Sequence, residues 1–240
     1  MNKRLSLYIN GTFIGLQLVL LALILFLPVD VNPICFITVC LGFLHAFLFF
    51  TKKKQSFFYL GGLLFTVVSD VFLVLRYTYT KDYTDQAIAM TTFSIAQLLY
   101  ACYLFSCCES KKINIIHGVC RVIFSACLVG ITLLVLGKNA NYLAVIALFY
   151  FANLILNAVF AFVEFRKHLL TSIGFIAFIF CDLFIGLDIA VGSFIQVDVG
   201  SILYILANPG FNYAWLFYVI SQTLLSLGFA FYKKRSLQVK

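Results

Sequence analysis

Two aspartates, Asp70 and Asp182, each stand inside a run otherwise free of charge. The runs are Gly62-Leu-Leu-Phe-Thr-Val-Val-Ser-Asp70-Val-Phe72 and Gly174-Phe-Ile-Ala-Phe-Ile-Phe-Cys-Asp182-Leu-Phe184. A carboxylate in the bilayer interior costs about 2.5–3.5 kcal/mol on insertion scales. A group placed there is either carried in its neutral form or set against a wet cavity, and both states suit acid–base chemistry. No Lys or Arg is expected within a span to neutralise the pair. These two carboxyls are the first candidates for a site.

Further polar residues fall at helical spacing near them. Thr66 and Asp70 are i,i+4 on one helix; Ser94, Gln97 and Tyr100 run i,i+3,i+6 on the next. Tyr150, Asn153 and Asn157 make a stripe on a later helix, and Tyr218, Ser221 and Gln222 cluster on the last. Each stripe should turn away from lipid, because unpaired polar groups in hydrocarbon are unfavourable. For the Ser, Thr and Asn residues, hydrogen bonding between helices is the simpler role, worth about 0.6 kcal/mol per contact. The aspartates read as functional, since such glue rarely needs a carboxylate.

The elements that must hold these residues are membrane spans. The chain has 240 residues, 63% hydrophobic, 18% aromatic and 11% charged, with 28 Phe and 3 Pro. Soluble domains carry about 25% charged residues, so that class is excluded, as is a disordered chain. At about 20 residues per span, eight helices fit and leave no room for a separate soluble domain. They are expected at about Leu7–Leu27, Ile34–Phe50, Phe57–Leu75, Ala87–Cys107, Val119–Leu136, Tyr142–Phe162, Ile173–Phe194 and Tyr213–Tyr232. The fold class is therefore all-α, a polytopic bundle forming one integral membrane domain over residues 1–240. Met1-Asn2-Lys3-Arg4 before an apolar run resembles a signal peptide. It lacks a small-x-small cleavage site, and a retained first helix is expected.

The formal charge is +8, and its distribution favours topology over nucleic-acid binding. Alternate loops place 14 basic residues on one side (Lys3, Arg4, Lys52, Lys53, Lys54, Lys111, Lys112, Arg121, Arg166, Lys167, Lys233, Lys234, Arg235, Lys240) and 3 on the other (Arg76, Lys81, Lys138). Cytoplasmic loops are enriched in Lys and Arg, so both termini are expected in the cytoplasm. The eight Cys mostly lie in apolar runs and form no C-x-x-C or zinc-type cluster. Cys107-Cys108, at a span end, is a candidate palmitoylation site.

An offset of 112 residues superposes the two Asp runs, with Gly62 on Gly174, Asp70 on Asp182 and Phe72 on Phe184. It also puts His45 on Asn157. With a last loop longer by 13 residues, Ile95-Ala-Gln97-Leu meets Ile220-Ser-Gln222-Thr. A 4+4 duplication with parallel halves, about 1–112 and 113–240, is expected.

The remaining polar residues have blander readings. His45 is either a proton relay or a satisfied core histidine, the latter being the simpler. His117 and His168 fall among basic loop residues and read as surface groups. Asp188 is placed near the outer end, and Trp215 with Tyr213 and Tyr218 reads as an aromatic belt. The apolar stretch within Val197–Asn212 is either an interfacial helix or an extension of helix seven. No nucleotide loop, H-E-x-x-H or G-x-S-x-G pattern appears.

The ordered set of motifs resembles the YhhN-type lysoplasmalogenase family. Gly61-Gly-Leu-Leu-Phe-Thr-Val-Val-Ser-Asp70-Val-Phe-Leu-Val-Leu75 is similar to its first Asp signature, and Ala96-Gln97-Leu-Leu-Tyr100 to its following Ala/Ser-His-x-x-Tyr element. Gly174 to Asp182 resembles the second Asp signature, and Tyr218-Val-Ile-Ser-Gln222-Thr-Leu-Leu-Ser-Leu-Gly228 the last-helix Tyr-x-x-Ala-Gln-x-Leu-Ile pattern. Gln97 stands in place of the family's usual His, Asn32-Pro33 in place of Lys-Pro, and Ser69 in place of Gly.

The resemblance implies a bacterial cell-membrane hydrolase, acting on a lysophospholipid substrate among membrane lipids. It would cleave the vinyl ether of a lysoplasmalogen to a fatty aldehyde and a glycerophospho-head-group. One carboxyl would protonate the distal alkene carbon. The other, ionised, would stabilise the oxocarbenium ion and orient water, a logic parallel to glycoside hydrolysis. Asp70 and Asp182 would share this work without a cofactor, with Gln97, Tyr100, Gln222, Tyr218, Asn157 and Thr66 positioning the site or the substrate. Two other classes fit the residues: a proton-coupled transporter, and a catalytically degenerate lipid sensor. The scarcity of Pro and Gly in the middle helices argues against transport. The oligomeric state is open, a homo-oligomer included.

Overall fold

In the computed structural model, which describes residues 3–27, 30–193, 201–202, 204 and 212–238, the polar punctuation of the chain falls at helix ends. Eight helices result: α1 (Lys3–Phe26), α2 (Asn32–Leu48), α3 (Lys54–Asp70), α4 (Tyr83–Cys107), α5 (Lys111–Leu136), α6 (Tyr142–Val163), α7 (Phe165–Ser193) and α8 (Tyr213–Gln238). No strand occurs among the described residues. Asp82, Ser110 and Asn141 each accept a backbone N–H in the first turn of the following helix, satisfying a donor that has no intrahelical partner. Pro33 sits in the first turn of α2, where its missing N–H does no harm. Seven of the helices are long and apolar enough to cross a membrane; α2, with 17 residues, is shorter. The chain is a multi-pass helical membrane protein, with helices at the eight positions expected from the sequence.

α3 lies on α4, α7 on α8, α2 on α3 and α6 on α7; α8 also meets α2, and α6 meets α4. α1 and α5 stand outside, α1 against α2 and α8, α5 against α6. Their outward faces carry bare apolar side chains, Leu7 and Tyr8 on α1 and Val122, Leu134 and Val135 on α5, which in a bilayer meet lipid rather than water.

The sequence gives no hint of two irregularities. α3 does not run on as a simple α-helix after Asp70: Val71–Tyr77 is π-helical, followed by one turn at Thr78–Thr80. Wide turns of this kind concentrate at functional sites. In α7, His168 has non-helical backbone angles and marks a kink.

Four expectations need correction. His117 and His168 are not surface residues; each is 2% exposed. His117 is stacked between the rings of Phe105 and Phe160, because α5 begins at Lys111 and carries it into the bundle. Arg121 does not lie in a loop but ten residues inside α5, and it is buried, so a cation does stand within a span. Tyr218 is buried rather than part of an outer belt. His45 is a satisfied core residue: Nδ1 is 2.7 Å from Ser226 Oγ and Nε2 is 2.9 Å from Asn10 Oδ1. The side chain of Asp188 and most of Val197–Asn212 lie outside the described residues.

Opposite the Lys-rich ends, a polar clasp ties the α1–α2 loop to the end of α3. Asp30 accepts from Tyr79 Oη and, at 2.7 Å, from Asn32 Nδ2. Arg76 Nε meets the buried Asp85 carboxylate at 3.0 Å. The Tyr79 hydrogen bond holds the Asp30 carboxyl below its ordinary value of 3.8, with a backbone bond from Asn32 adding to it. A lowered folded value means that this bond stabilises the fold above the unfolded carboxyl range. Its contribution disappears as the pH falls through that range. Tyr79→Phe is expected to raise the Asp30 titration midpoint with little change in thermal stability, since the clasp is fully exposed. Carbon-detected NMR titration of the Asp30 carboxyl checks this; an unmoved midpoint contradicts it.

Candidate functional site: two buried aspartate–tyrosine pairs

Each of the two intramembrane carboxyls is held by a buried phenol from another helix. Tyr218 Oη on α8 donates to Asp70 Oδ2 at 2.6 Å, and Tyr150 Oη on α6 donates to Asp182 Oδ2 at 2.6 Å. Asp70 is 1% exposed, and Asp182 is less enclosed. The short phenol–carboxyl bonds stand between elements far apart in sequence. Hydrogen bonds of this kind are stronger away from water.

The two pairs adjoin one another. The Phe178 ring, one turn from Asp182 on α7, meets Tyr218 edge-on at 5.3 Å and Tyr150 at 6.3 Å between centroids. Phe93 of α4 closes against both Tyr150, at 5.5 Å, and Phe178, at 6.0 Å. Two carboxyls therefore share one aromatic-walled interior formed by α3, α4, α6, α7 and α8. Each phenol engages one carboxyl oxygen and leaves the other uncommitted among the described residues. Chemically, such a site has two oxygen acids and rings whose faces favour a developing cation. Among the described residues no cluster of His, Cys, Asp or Glu is arranged to hold a metal.

The other expected site residues divide into two groups. Gln97 and Asn157 come together: Asn157 Nδ2 donates to Gln97 Oε1 at 2.9 Å and to its backbone carbonyl at 2.8 Å. Thr66 turns back on its own helix, donating to Gly62 O at 3.0 Å. Tyr100 packs edge-on against Tyr59 and Phe175. None of Gln97, Tyr100 or Gln222 hydrogen-bonds either carboxyl. Instead Gln97 Nε2, Ser221 Oγ and Gln222 Nε2 are buried polar atoms without a hydrogen-bond partner among the described residues. Buried polar atoms left unpaired are rare in folded proteins and concentrate where a ligand acts.

Three contributors escape a reading of the sequence. Tyr150 looks like the first member of an Asn stripe; only the fold brings it to Asp182. Phe178 is one ring among 28 Phe. Arg121 is readable in hindsight, since it stands ten residues after Lys111 on an uninterrupted helix.

No curated protein and no solved structure matches the chain. The YhhN family model matches residues 33–229, from the first turn of α2 to the buried part of α8, and takes in both aspartates and both tyrosines. The chain belongs to the YhhN family.

Proposed function

We propose that the protein is a membrane-embedded hydrolase that cleaves the vinyl ether bond of lysoplasmalogen-type lysophospholipids. The observation that carries this reading is the pairing of two intramembrane carboxyls, each held by a buried tyrosine, across one aromatic wall. A vinyl ether needs a proton on its distal carbon, a counter-charge for the oxocarbenium ion and one water molecule. One carboxyl gives the proton. The other, as carboxylate, faces the cation and takes a proton from the attacking water. The hemiacetal then collapses to aldehyde and free glycerol hydroxyl, and the acid is restored. Family membership supports the reading, and the phenols supply the fixed geometry that acid catalysis requires.

The duplication and the orientation belong to the same proposal. The packing order repeats between the halves: α3 on α4 and α7 on α8, α2 on α3 and α6 on α7, α4 on α6 and α8 on α2. This is the order expected of two parallel copies related by an axis along the membrane normal. With Lys52–Lys54, Lys111 and Lys112 at one end of the bundle, that end is assigned to the cytoplasm.

The π-helical stretch after Asp70 favours a second reading, proton-coupled transport, because a local break beside a carboxylate is also a transporter feature. Purified protein in detergent separates the two. Aldehyde detected by mass spectrometry on addition of lysoplasmalogen supports hydrolysis. Proton-dependent flux across proteoliposomes without product supports transport and overturns the hydrolase.

A further inference from the structure

Arg121 is a cation in the middle of a span with no carboxylate to balance it among the described residues. It is 9% exposed, and all its partners are neutral. Nη1 donates to Asn153 Oδ1, and Nη2 donates to Asn157 Oδ1 at 2.7 Å and to His117 Nε2 at 2.8 Å. An arginine N–H can only donate, so His117 accepts through Nε2 and keeps its own proton on Nδ1. Nε of Arg121 is buried and has no hydrogen-bond partner among the described residues. A buried charge solvated by amides alone is unfavourable to fold, and two asparagines and a histidine serve to aim the guanidinium rather than to neutralise it.

The position of this cation relative to the aspartates has a length. Tyr150, which holds Asp182, and the asparagines that hold Arg121 lie on one stripe of α6. Along that helix Asn153 is about 4.5 Å and Asn157 about 10.5 Å from Tyr150. In a lysophospholipid ether, about six bonds separate the phosphorus atom from the ether carbon, some 7 Å at ordinary bond lengths. That length falls between the two rises along the helix axis. Beyond Arg121, toward the Lys111 end of α5, a shallow cleft between α4, α5 and α6 is lined by Leu104, Cys108, Asn114, His117, Phe160 and Glu164. Its inner side is His117, the residue that bonds Arg121, and Asn114 Oδ1 in it is a buried acceptor without a partner among the described residues.

We propose that Arg121 is the anchor for a phosphate group, carried by the head group of a single-chain phospholipid whose ether bond lies against Asp70 and Asp182. The phosphate supplies the missing counter-charge and accepts from Nε. Asn114 Oδ1 suits a head group with an N–H or O–H donor beyond the phosphate. The assignment rests on the hydrolase reading for the direction of the bound chain, but phosphate binding is testable without turnover.

Two measurements test it. The first uses a non-cleavable saturated alkyl-ether lysophospholipid and follows thermal unfolding of the detergent-solubilised full chain. Wild-type protein is expected to be stabilised by the phospholipid, and Arg121→Gln to lose that shift. The dephosphorylated alkylglycerol should shift neither protein. Inorganic phosphate at the same concentration is expected to do nothing; an equal shift with it would reassign the site to free phosphate and overturn the head-group claim. The second compares cleavage of a lysoplasmalogen with that of the matching alkenylglycerol. The ratio of their kcat/KM values is expected to fall about 100-fold in Arg121→Gln. An equal fall for both substrates would mean a structural role and overturn the proposal. Arg121→Lys, which keeps the charge and removes the planar fork, serves if Arg121→Gln does not fold, with KM for the phosphorylated substrate raised about tenfold at similar kcat. If wild-type protein binds the ether phospholipid through Arg121 but releases no aldehyde, the hydrolase reading fails and the phosphate site stands.

Discussion

Asp70→Asn and Asp182→Asn are each expected to abolish aldehyde release while leaving folded protein. The amide keeps the shape of the side chain, and its oxygen still accepts from Tyr218 or Tyr150 at the observed 2.6 Å separation. What it loses is the ability to give or take a proton and to balance a cation. General acid–base catalysis contributes about 10²–10⁴-fold to a rate, and a carboxylate facing an oxocarbenium ion adds electrostatic stabilisation on top of that. A fall of about 10³-fold or more is therefore expected for either variant, beneath the detection limit of most aldehyde assays. Tyr150→Phe and Tyr218→Phe remove only the clamp and should retain part of the activity. Full activity in both Asn variants would remove the aspartates from the mechanism.

The second large effect concerns folding. Gly62 of α3 faces the Tyr100 ring so closely that a β-carbon there would lie 2.7 Å from it, and one at Gly174 of α7 would lie 3.0 Å from Leu225. These two glycines superpose under the proposed duplication, and so do the residues they face. Membrane helices associate through close approach of small residues, because lipid is no less apolar than the interface it replaces. Tyr100 and Leu225 are both fully buried and have nowhere to move. Gly62→Ala and Gly174→Ala are each expected to destabilise the bundle by about 1–3 kcal/mol through overpacking. Gly118→Ala, where nothing lies within 4 Å of the added carbon, should be neutral or slightly stabilising. Thermal unfolding in detergent measures the difference. Equal stability of the Gly62 and Gly118 variants would show that the α3–α4 contact is not close.

Much of this architecture is legible in the residues. Apolar runs of span length, ended by Lys triplets or polar caps, give eight helices, because hydrocarbon thickness and backbone hydrogen bonding leave the chain little choice. Asp70 and Asp182 stand out for the same reason: charge is so scarce in the runs that two carboxyls are conspicuous. What periodicity cannot supply is partner choice between helices. Tyr218 at the mouth of the last span has the composition of an interfacial aromatic, and only the tertiary fold brings its hydroxyl to Asp70. Likewise His117 and Arg121 follow Lys111 and Lys112 in a basic stretch, and their charge made them look like part of a loop. The helix starts at Lys111, so both turn inward. The π-helical stretch after Asp70 has no Pro or Gly to announce it.

The central claim is that a paired-carboxyl site protonates the alkene carbon of a vinyl ether. Cleavage of a lysoplasmalogen by purified wild-type protein in D2O tests it most directly. The released fatty aldehyde is expected to carry one deuterium on the carbon next to the carbonyl, placed there by the acid that exchanged with solvent. Asp70→Asn and Asp182→Asn should release none above the enzyme-free rate. Aldehyde without that deuterium would mean that the bond breaks without proton transfer to carbon, and no aldehyde from folded wild-type protein would contradict the hydrolase itself.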